Sequence, residues 1–266
     1  MKKCEEPGTQ ALSRAVSVLN SFSEGRYELS LTEVSDMLSL PKPTVHRLLS
    51  AMKYHGFIEQ DGGGQKYRLG WKLFELGTRV NRIHAIQEKA HPYLQGLSER
   101  SKETVHLAIL KEGNIFYIDK IQGLYAMSMV TSVGLKLPAY LGGLGKCLLA
   151  FLPENELLRA LNGRKLKKFT SNTLTEPIRL QEALREVRGK GYAIDHEEFE
   201  IGLTCVGVPI WDFSNKVVAA ISIAGPTFRM NKERMPHYIK LAVETGRKIS
   251  QELGYRSDSR SQGSEL

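Results

Sequence analysis

The strongest constraint on how this chain folds is a helix–break–helix–hairpin pattern between residues 28 and 69. Ser30 can cap the first helix, because Glu33 follows it at the spacing of a capping box. Residues 39–41 interrupt that helix, and Gly56 is placed to end the second one at a left-handed position. Apolar residues in the second helix follow the i, i+3, i+4, i+7 spacing of a buried stripe, namely Val45, Leu48, Leu49 and Met52. The pattern therefore predicts two short helices, each with one buried side.

The other side of the second helix is polar and basic. At about 100° per residue it carries Pro43, His46, Arg47, Ser50 and Tyr54. Strand-like segments at 57–60 and 65–69, joined by a glycine-rich turn at 61–64, predict a hairpin. This order is typical of a winged helix-turn-helix, whose second helix enters the major groove of DNA. We predict base contacts from Thr44, His46, Arg47 and Ser50 beside Pro43, and phosphate contacts from Lys42, Lys66 and Arg68. The alternative is a small helical subdomain without a nucleic-acid partner.

Length and charge allow two domains and an anionic partner. The chain has 266 residues, of which 41% are hydrophobic, and a formal net charge of +8. Residues 1–90 contain 13 Lys and Arg against 10 Asp and Glu, so the positive surplus is not concentrated in the predicted DNA-binding segment. The three cysteines lack the spacing of a zinc ribbon or a disulfide framework, which favours a cytoplasmic location. No apolar run approaches the ~20 residues of a membrane-spanning helix.

Helices are predicted on both sides of the winged helix. Residues 10–23 predict a helix with one apolar stripe, formed by Leu12, Ala15, Val16, Leu19 and Phe22. Residues 70–87 predict a linker helix, with apolar residues spaced like a coiled-coil seam at Leu69, Leu73, Leu76, Val80 and Ile83. That spacing favours pairing between two chains, and the alternative is packing of the helix on its own domain.

The rest of the chain predicts an α+β domain. Strand candidates lie at 104–110, 115–120, 126–131, 191–194, 205–211 and 216–224, and helix candidates at 147–152, 155–162, 177–190 and 235–253. Short turns such as 111–114 join successive strands and favour a largely antiparallel sheet. We therefore expect a winged helix at 9–70, a linker helix at 71–88, a second domain at 89–256 and a disordered tail at 257–266.

Several stretches resemble the IclR (isocitrate lyase regulator) family of bacterial transcriptional regulators. They are ALSRAVSVLNSF, LSLPKPTVHRLLSAMKYHGFI, YRLGWKLFELG, LGKCLLA, GYAIDHEEFEIGLTCVGVPI and AAISIAGP. KLFELG, KETVHL and ISQELGY further resemble the branch that regulates sugar-acid catabolism. The resemblance implies a DNA-binding winged helix, a linker helix and an effector domain of GAF or profilin type. It also implies dimers, often paired into tetramers, repression more often than activation, and small organic acids as effectors.

The same resemblance implies where an effector binds. The family's pocket maps onto Met129, Leu137, Gly143, Leu144, Asp195, Cys205, Ser222 and Ala224, whereas Glu200 and Gly202 are implied to be structural. Amides of Gly143–Gly145 before a helix favour a carboxylate, Ser222 offers a hydroxyl, and an ionised Asp195 accepts hydrogen bonds from ligand hydroxyls. A keto or hydroxy acid fits this set. Ala224 stands where many relatives carry a hydroxyl residue, which predicts a pocket of different size or polarity.

Two other classes of function remain open from the residues alone. An enzyme could pair Cys205 with His106 or His196 as nucleophile and base, although the sequence contains no nucleophile elbow or HExxH motif. A metal sensor could use His84, His91 and His106, whose spacing fits no single-turn ligand pair. Cys205 also has a structural interpretation as a small buried residue, and Asp195 has one as part of a solvated acidic turn. We expect no catalytic activity, cofactor or metal.

Overall fold

The computed structural model describes residues 10–22, 26–60, 64–78, 81–125, 131–161 and 166–256. By its internal contacts the chain divides into an N-terminal unit, Met1–Asn81, and a C-terminal unit, Arg82–Leu266. Several predictions fall outside the described residues: Met129, the hairpin tip at 61–63, most of the strand at 126–131, and the tail at 257–266. No helix within the described ranges combines the length and apolar character needed to cross a bilayer.

The N-terminal unit contains helices and a small three-stranded sheet. Its elements are α1 (Gln10–Ser21), β1 (Leu29–Ser30), α2 (Leu31–Leu38), α3 (Lys42–Tyr54), β2 (Ile58–Gln60), β3 (Lys66–Leu69) and α4 (Trp71–Thr78). The strand order is β1–β3–β2, and both pairs are antiparallel. The predicted winged helix-turn-helix is confirmed. The sequence pattern did not predict β1, because two residues are too few to show an alternation.

Local chemistry explains where α2 and α3 begin and end. Ser30 Oγ accepts a hydrogen bond from the Glu33 amide at 3.2 Å, and Glu33 Oε2 accepts one from the Ser30 amide at 2.7 Å. These two bonds complete the predicted capping box. Ser39 ends α2 in the left-handed conformation, with φ 52°, and Gly56 takes φ +74° just after α3. Local contacts and backbone conformation therefore define both ends of α2 and the end of α3.

The apolar stripe predicted for α1 is partly wrong. Leu12 and Val16 are 65% and 46% exposed, whereas Val18, which the predicted stripe left out, is fully buried. The buried side of α1 runs through Ala15, Val18 and Leu19 to Phe22. Both sets of residues fit the helical period, so the period alone does not choose between them, and packing against α2 and α3 decides.

The C-terminal unit is built on a six-stranded sheet. Its elements are α5 (Asn81–Ser101, starting at the boundary), β4 (Thr104–Lys111), β5 (Asn114–Ile121), β6 (Lys136–Pro138), α6 (Gly142–Ala150), α7 (Glu154–Leu161), α8 (Pro177–Lys190), β7 (Ala193–His196), β8 (Leu203–Trp211), β9 (Val217–Pro226) and α9 (Met235–Glu252). The strand order is β6–β5–β4–β9–β8–β7, and each neighbouring pair is antiparallel. The predicted α+β class with an antiparallel sheet is confirmed.

Helices cover both faces of this sheet. One face packs against α5 and α9 through large aliphatic side chains such as Leu94, Val208 and Ile249. The other face packs against α6 and α8, and small residues on its strands let α6 approach closely. A Cβ added at Gly207 on β8 would lie 2.6 Å from the carbonyl carbon of Gly143 on α6. Glycine is therefore required there to seat the first turn of α6 on the sheet.

The helices that follow the winged helix differ from the predicted linker. α5 continues past residue 88, where we expected the linker helix to end, and reaches Ser101. Among the predicted seam positions, Leu69 and Leu76 are 44% and 39% exposed, whereas Ile83 packs against the core of the C-terminal unit. Val80 lies outside the described residues. The five positions therefore do not share one environment within the chain.

Candidate functional site

The exposed side of α3 carries the residues that the sequence predicts to contact DNA. Lys42, Pro43, His46, Arg47 and Ser50 are exposed, and Thr44 is half-buried. On the opposite side Val45 and Leu49 are fully buried, and Met52 is 6% exposed. This buried stripe fixes the rotation of α3 about its axis. The polar side is consequently presented to solvent, as insertion into a major groove requires.

The hairpin beside α3 carries two of the predicted phosphate contacts. Lys66 is exposed on β3, opposite Ser30 of β1. Arg68 Nε lies 3.3 Å from Glu59 Oε2 on β2, and Glu59 Oε1 accepts a hydrogen bond from the Trp71 amide at 3.0 Å. These contacts hold the pKa of Glu59 below its ordinary value, chiefly through the Trp71 amide. A phosphate would therefore have to compete with an ionised Glu59 for the Arg68 guanidinium.

A second candidate site is a buried cavity in the C-terminal unit, between the sheet and the start of α6. Its volume is about 30 Å³, which is room for one or two water molecules. Seven of the eight predicted effector positions line it, namely Leu137, Gly143, Leu144, Asp195, Cys205, Ser222 and Ala224. The eighth, Met129, lies outside the described residues. Positions that are spread over nearly ninety residues of sequence thus converge on one cavity.

Strand register explains this convergence. Asp195 on β7 is paired with Cys205 on β8, and Cys205 is paired with Ala224 on β9, so the three form a row across the sheet. Ser222 lies two residues before Ala224 and is paired with His106 on β4. Side chains two residues apart on a strand share a face. The row and Ser222 therefore all face α6.

The start of α6 corrects one prediction. The sequence predicted a helix at 147–152 preceded by a glycine-rich turn, but the helix begins at Gly142, so Gly143 and Gly145 lie in its first turns. Glycine disfavours helices, and close packing of this helix on the sheet overrides that preference. The first amides of a helix have no helical partner. The Gly143 amide lies close enough to Cys205 to oppose, in part, the rise that burial causes in the pKa of its thiol.

Asp195 does not lie in a solvated acidic turn. It is 3% exposed near the end of β7, and its Oδ1 accepts a hydrogen bond from the Glu198 amide at 2.8 Å. Its Oδ2 lies 3.8 Å from Cys205 Sγ. Burial, with the charge of Glu198 as the next cause, raises the pKa of Asp195 to about 6. This carboxyl therefore changes its charge close to neutral pH.

The cavity also contains polar residues that the sequence did not assign to it. His106 and Tyr117 line it, with ring centroids 5.2 Å apart in an edge-on arrangement. His106 Nε2 lies 2.7 Å from Thr131 Oγ1. Burial, followed by the charge of Lys120, lowers the pKa of His106 to about 3, so the imidazole is neutral. The sequence TVHLAIL could have indicated the position of His106. Neighbouring residues of a strand face opposite sides of the sheet, and Val105 and Leu107 face the side away from the cavity.

The residues proposed for an enzyme or a metal sensor have other surroundings. Burial raises the pKa of the Cys205 thiol and lowers that of His106, which is the reverse of an activated nucleophile and base. His91 Nδ1 lies 2.7 Å from Asp119 Oδ2, His84 lies 4.0 Å from Glu88, and His196 is exposed. Over the described ranges, no three His, Cys, Asp or Glu residues come together as a metal site would need.

Comparison with known proteins covers both units. Residues 11–62 match the IclR helix-turn-helix domain, and residues 78–251 match the bacterial transcriptional regulator IclR C-terminal domain. The HTH-type transcriptional regulator XynR of Escherichia coli K12 is 38% identical over 249 residues, which cover 94% of this chain and 99% of XynR. The regulator KdgR of the same organism is also 38% identical, over 242 residues that cover 91% and 92% of the two chains.

Solved structures show the same architecture. The Thermotoga maritima IclR structure is 34% identical with a TM-score of 0.76, and the match covers 93% of this chain and 100% of that one. An IclR homologue from Microbacterium hydrocarbonoxydans, crystallised with 4-hydroxybenzoate, is 27% identical with a TM-score of 0.81, covering 92% and 99%. Since sequence and fold agree over both units, the chain belongs to the IclR family of bacterial transcriptional regulators.

Proposed function

We propose that this regulator binds operator DNA through α3 and the β2–β3 hairpin, under the control of a small organic acid or sugar acid in the C-terminal cavity. The observation that carries the proposal is the convergence of seven implied effector positions on one cavity. The proposed outcome is repression. In support, the chain is 32% identical over 247 residues to the transcriptional repressor IclR of Escherichia coli.

The predicted DNA-contacting residues of α3 each have a proposed role. Arg47 reads a guanine, because its guanidinium can form two hydrogen bonds to the base edge in the major groove. The half-buried Thr44 and the exposed His46 and Ser50 lie on the same side of the helix and contact neighbouring bases. Phosphate contacts come from the cations on either side of this surface, Lys42, Lys66 and Arg68, and Pro43 places the first turn of α3 against the backbone.

The chemistry of the cavity supports an acid as the effector. The lining residues that the structure describes include no Lys or Arg, so the first amides of α6 are the proposed partners of the ligand carboxylate. Asp195 and Ser222, together with His106 and Tyr117, offer partners for hydroxyl or keto oxygens. A cavity of about 30 Å³ is smaller than such a ligand. Binding must therefore displace lining side chains, which gives the effector a means to change the C-terminal unit.

Oligomer formation is part of the proposal. Trp71 and Phe74 on α4 are 70% and 60% exposed, with ring centroids 4.7 Å apart, and exposed aromatic pairs of this kind mark interaction surfaces. We place a homodimer contact there, with dimers pairing further into tetramers, so that two copies of α3 engage one operator. The effector binds one of two arrangements of the dimer more tightly than the other. The linker at 71–88 then transmits this preference from the cavity to the two copies of α3. The role requires no catalysis and places the protein in the cytoplasm with its DNA.

The DNA half of the proposal is tested by selecting preferred duplexes from random DNA with the full-length protein. Arg47→Ala should lose about 1–3 kcal/mol of preference for the selected sequence over its single-base variants. The matched control is Arg247→Ala, which removes an exposed arginine from α9 and should leave that preference unchanged. An equal loss of affinity on all duplexes would make Arg47 a phosphate contact, and failure to enrich any sequence would overturn specific DNA binding.

The effector half is tested by thermal unfolding with a panel of glyoxylate, pyruvate, D-glycerate and D-gluconate. A ligand that binds only the folded state raises the unfolding temperature by mass action. Ser222→Val, which removes the hydroxyl from the cavity, should reduce the shift that the best acid gives. No shift with any of the four acids would count against the proposed effector class.

A further inference from the structure

We propose that a buried set of charges beside the effector cavity, formed by Lys146, Asp195 and Glu198, makes this site select monocarboxylates and bind each one together with one proton. The inference rests on the proposed effector site. It assigns a role to Lys146 and Glu198, which do not line the cavity and which neither the sequence nor the family resemblance singled out. Both act as positioning and charge-setting residues behind Asp195.

Lys146 connects α6 to β7 and to the segment that follows it. Its Nζ donates a hydrogen bond to the Ile194 carbonyl at 2.7 Å and a second one to the Glu198 carboxylate. Lys146 is only 4% exposed and Glu198 only 7%. Thr170 and Thr173 hydroxyls donate to the Glu198 carbonyl at 3.3 and 2.6 Å. The ion pair is thus held in place from several directions and has little access to water.

Asp195 is joined to this pair and also lies at the start of α6. Its Oδ1 accepts the Glu198 amide at 2.8 Å. A Cβ added to Gly142, the first residue of α6, would be 3.1 Å from Asp195 Oδ2. The carboxylate of Asp195 therefore already occupies the end of the helix that favours negative charge. An effector carboxylate placed at the same helix end would be its close neighbour.

The charges around Asp195 do not balance. Within the described ranges, Lys146 is the one cation beside two carboxylates, those of Asp195 and Glu198. Glu198 Oε2 is buried with no hydrogen-bond partner among the described residues. Among the described residues that line the cavity, the other titratable groups are neutral: burial raises the pKa of Cys205 on β8 and of Tyr117 on β5, and it lowers that of His106 on β4. An effector carboxylate would be a third anion against one cation in a nearly dry site, which is costly.

A proton on Asp195 reduces this excess from two negative charges to one. Burial and the charge of Glu198 already raise the pKa of this carboxyl to about 6, and a neighbouring effector anion raises it further. The protonated carboxyl can donate a hydrogen bond to the effector carboxylate, so the pair carries one negative charge and not two. A dicarboxylate brings another negative charge for which the site has no cation, and it is therefore excluded.

The test is isothermal titration calorimetry on the full-length protein from about pH 6 to pH 8, with two matched pairs of acids. D-Glycerate is compared with tartronate, and D-gluconate with D-glucarate, because each pair differs by one carboxylate. These acids are already ionised in this range, so the proton must come from solution to the protein. The Kd of the monocarboxylate should therefore increase as the pH rises, by up to about tenfold for each pH unit. Heats in two buffers of different ionisation enthalpy count the proton directly. The dicarboxylate should bind at least about tenfold more weakly.

Glu198→Gln is the discriminating variant, because its amide oxygen can still accept the Lys146 hydrogen bond while one negative charge is removed. We expect its Kd for the monocarboxylate to change less than about twofold between pH 7 and pH 8 and the penalty on the dicarboxylate to shrink. Glu197→Gln, at the half-buried neighbouring position, is the matched control and should behave as wild type.

The outcomes separate this inference from the proposed function. Binding of a monocarboxylate without proton uptake by the wild type overturns the inference and leaves the effector site standing. An unchanged pH dependence in Glu198→Gln also overturns it. Should this variant fail to fold, the proton count of the wild type decides alone. Binding of the four monocarboxylates, glyoxylate, pyruvate, D-glycerate and D-gluconate, is expected to be strongest near pH 6. Failure of all four to bind at that pH would overturn the effector site and the inference together.

Discussion

The exposed side of α3 and the cavity of the C-terminal unit both carry polar side chains, but they arise from the sequence over different ranges. The α3 surface comes from thirteen consecutive residues, and its apolar and polar sides follow from the helical period. The cavity combines residues from all six strands of the sheet, β4 to β9, and the first turn of α6. One surface is therefore specified locally, whereas the other exists only when the whole sheet has formed.

This difference predicts how substitutions act. On α3, stability and DNA recognition belong to different sides of one helix, so they should respond to different residues. In the cavity, the residues proposed to bind the effector also pack the sheet against α6, so changes there should alter stability and binding together.

The largest effect is expected from neighbouring residues of α3. Leu49→Ala removes a fully buried side chain and should cost about 2–5 kcal/mol of unfolding free energy in the N-terminal unit. Ser50→Ala, on the exposed side, should stay within about 0.5 kcal/mol. Urea unfolding followed by Trp71 fluorescence, with Trp211 replaced by Phe, measures both. Similar costs for the two variants would contradict the separation of the two sides.

The second effect concerns Asp195 and pH. Its pKa is about 6 in the folded chain, against 3.8 for the ordinary carboxyl, so the folded state holds the proton more strongly. Lowering the pH from 6 toward 4 therefore stabilises the wild type, and raising it removes this contribution. Asp195→Asn cannot titrate, so relative to the wild type it should be about 2 kcal/mol more favourable at pH 7 than at pH 4, where the unfolded carboxyl is still partly ionised.

Denaturant unfolding at several pH values, followed by Trp211 fluorescence with Trp71 replaced by Phe, checks this prediction. Glu200→Gln is the control, because Glu200 is exposed and its replacement should give a difference that does not depend on pH. A difference between Asp195→Asn and the wild type that is constant with pH would contradict the raised pKa of this buried carboxyl and would also weaken the proposal of proton-coupled binding.

The smallest effect is expected at the capping box of α2, a purely local feature. Ser30→Ala should cost about 1 kcal/mol of unfolding free energy, because it removes the acceptor of the Glu33 amide. Glu33→Ala should cost a similar amount, and the double variant should cost less than the sum, since each residue bonds the other's backbone. Strict additivity would contradict the reciprocal bonding.

The sequence predicted what depends on neighbouring residues. The capping box, the bounds of α3, the hairpin and most strands of the C-terminal sheet follow from caps, periods and turns. Where two choices fitted the same period, as with Val16 and Val18 on α1, contacts with other helices decided. The early start of α6 at Gly142 could not be predicted from propensity, because close packing against Gly207 on β8 determines it.

The candidate site shows the same division. The family resemblance placed these seven positions in one pocket. Residue types alone could not do so, because the positions come together only when the strands of the sheet pair. Asp195 in DHEE reads as a solvated turn, and only its position on β7 beside Cys205 reveals a buried carboxyl. His106 could have been assigned to the cavity, because the alternation of β4 turns it away from Val105 and Leu107.

The most direct test of this account is the operator affinity of the full-length protein with and without the acid that gives the largest thermal shift. Fluorescence anisotropy on the selected duplex, at constant salt, measures it. We predict that a saturating effector changes the Kd for the operator by at least about fivefold, since the cavity and α3 are proposed to be coupled. An operator Kd that stays the same while the acid saturates the cavity would contradict the account.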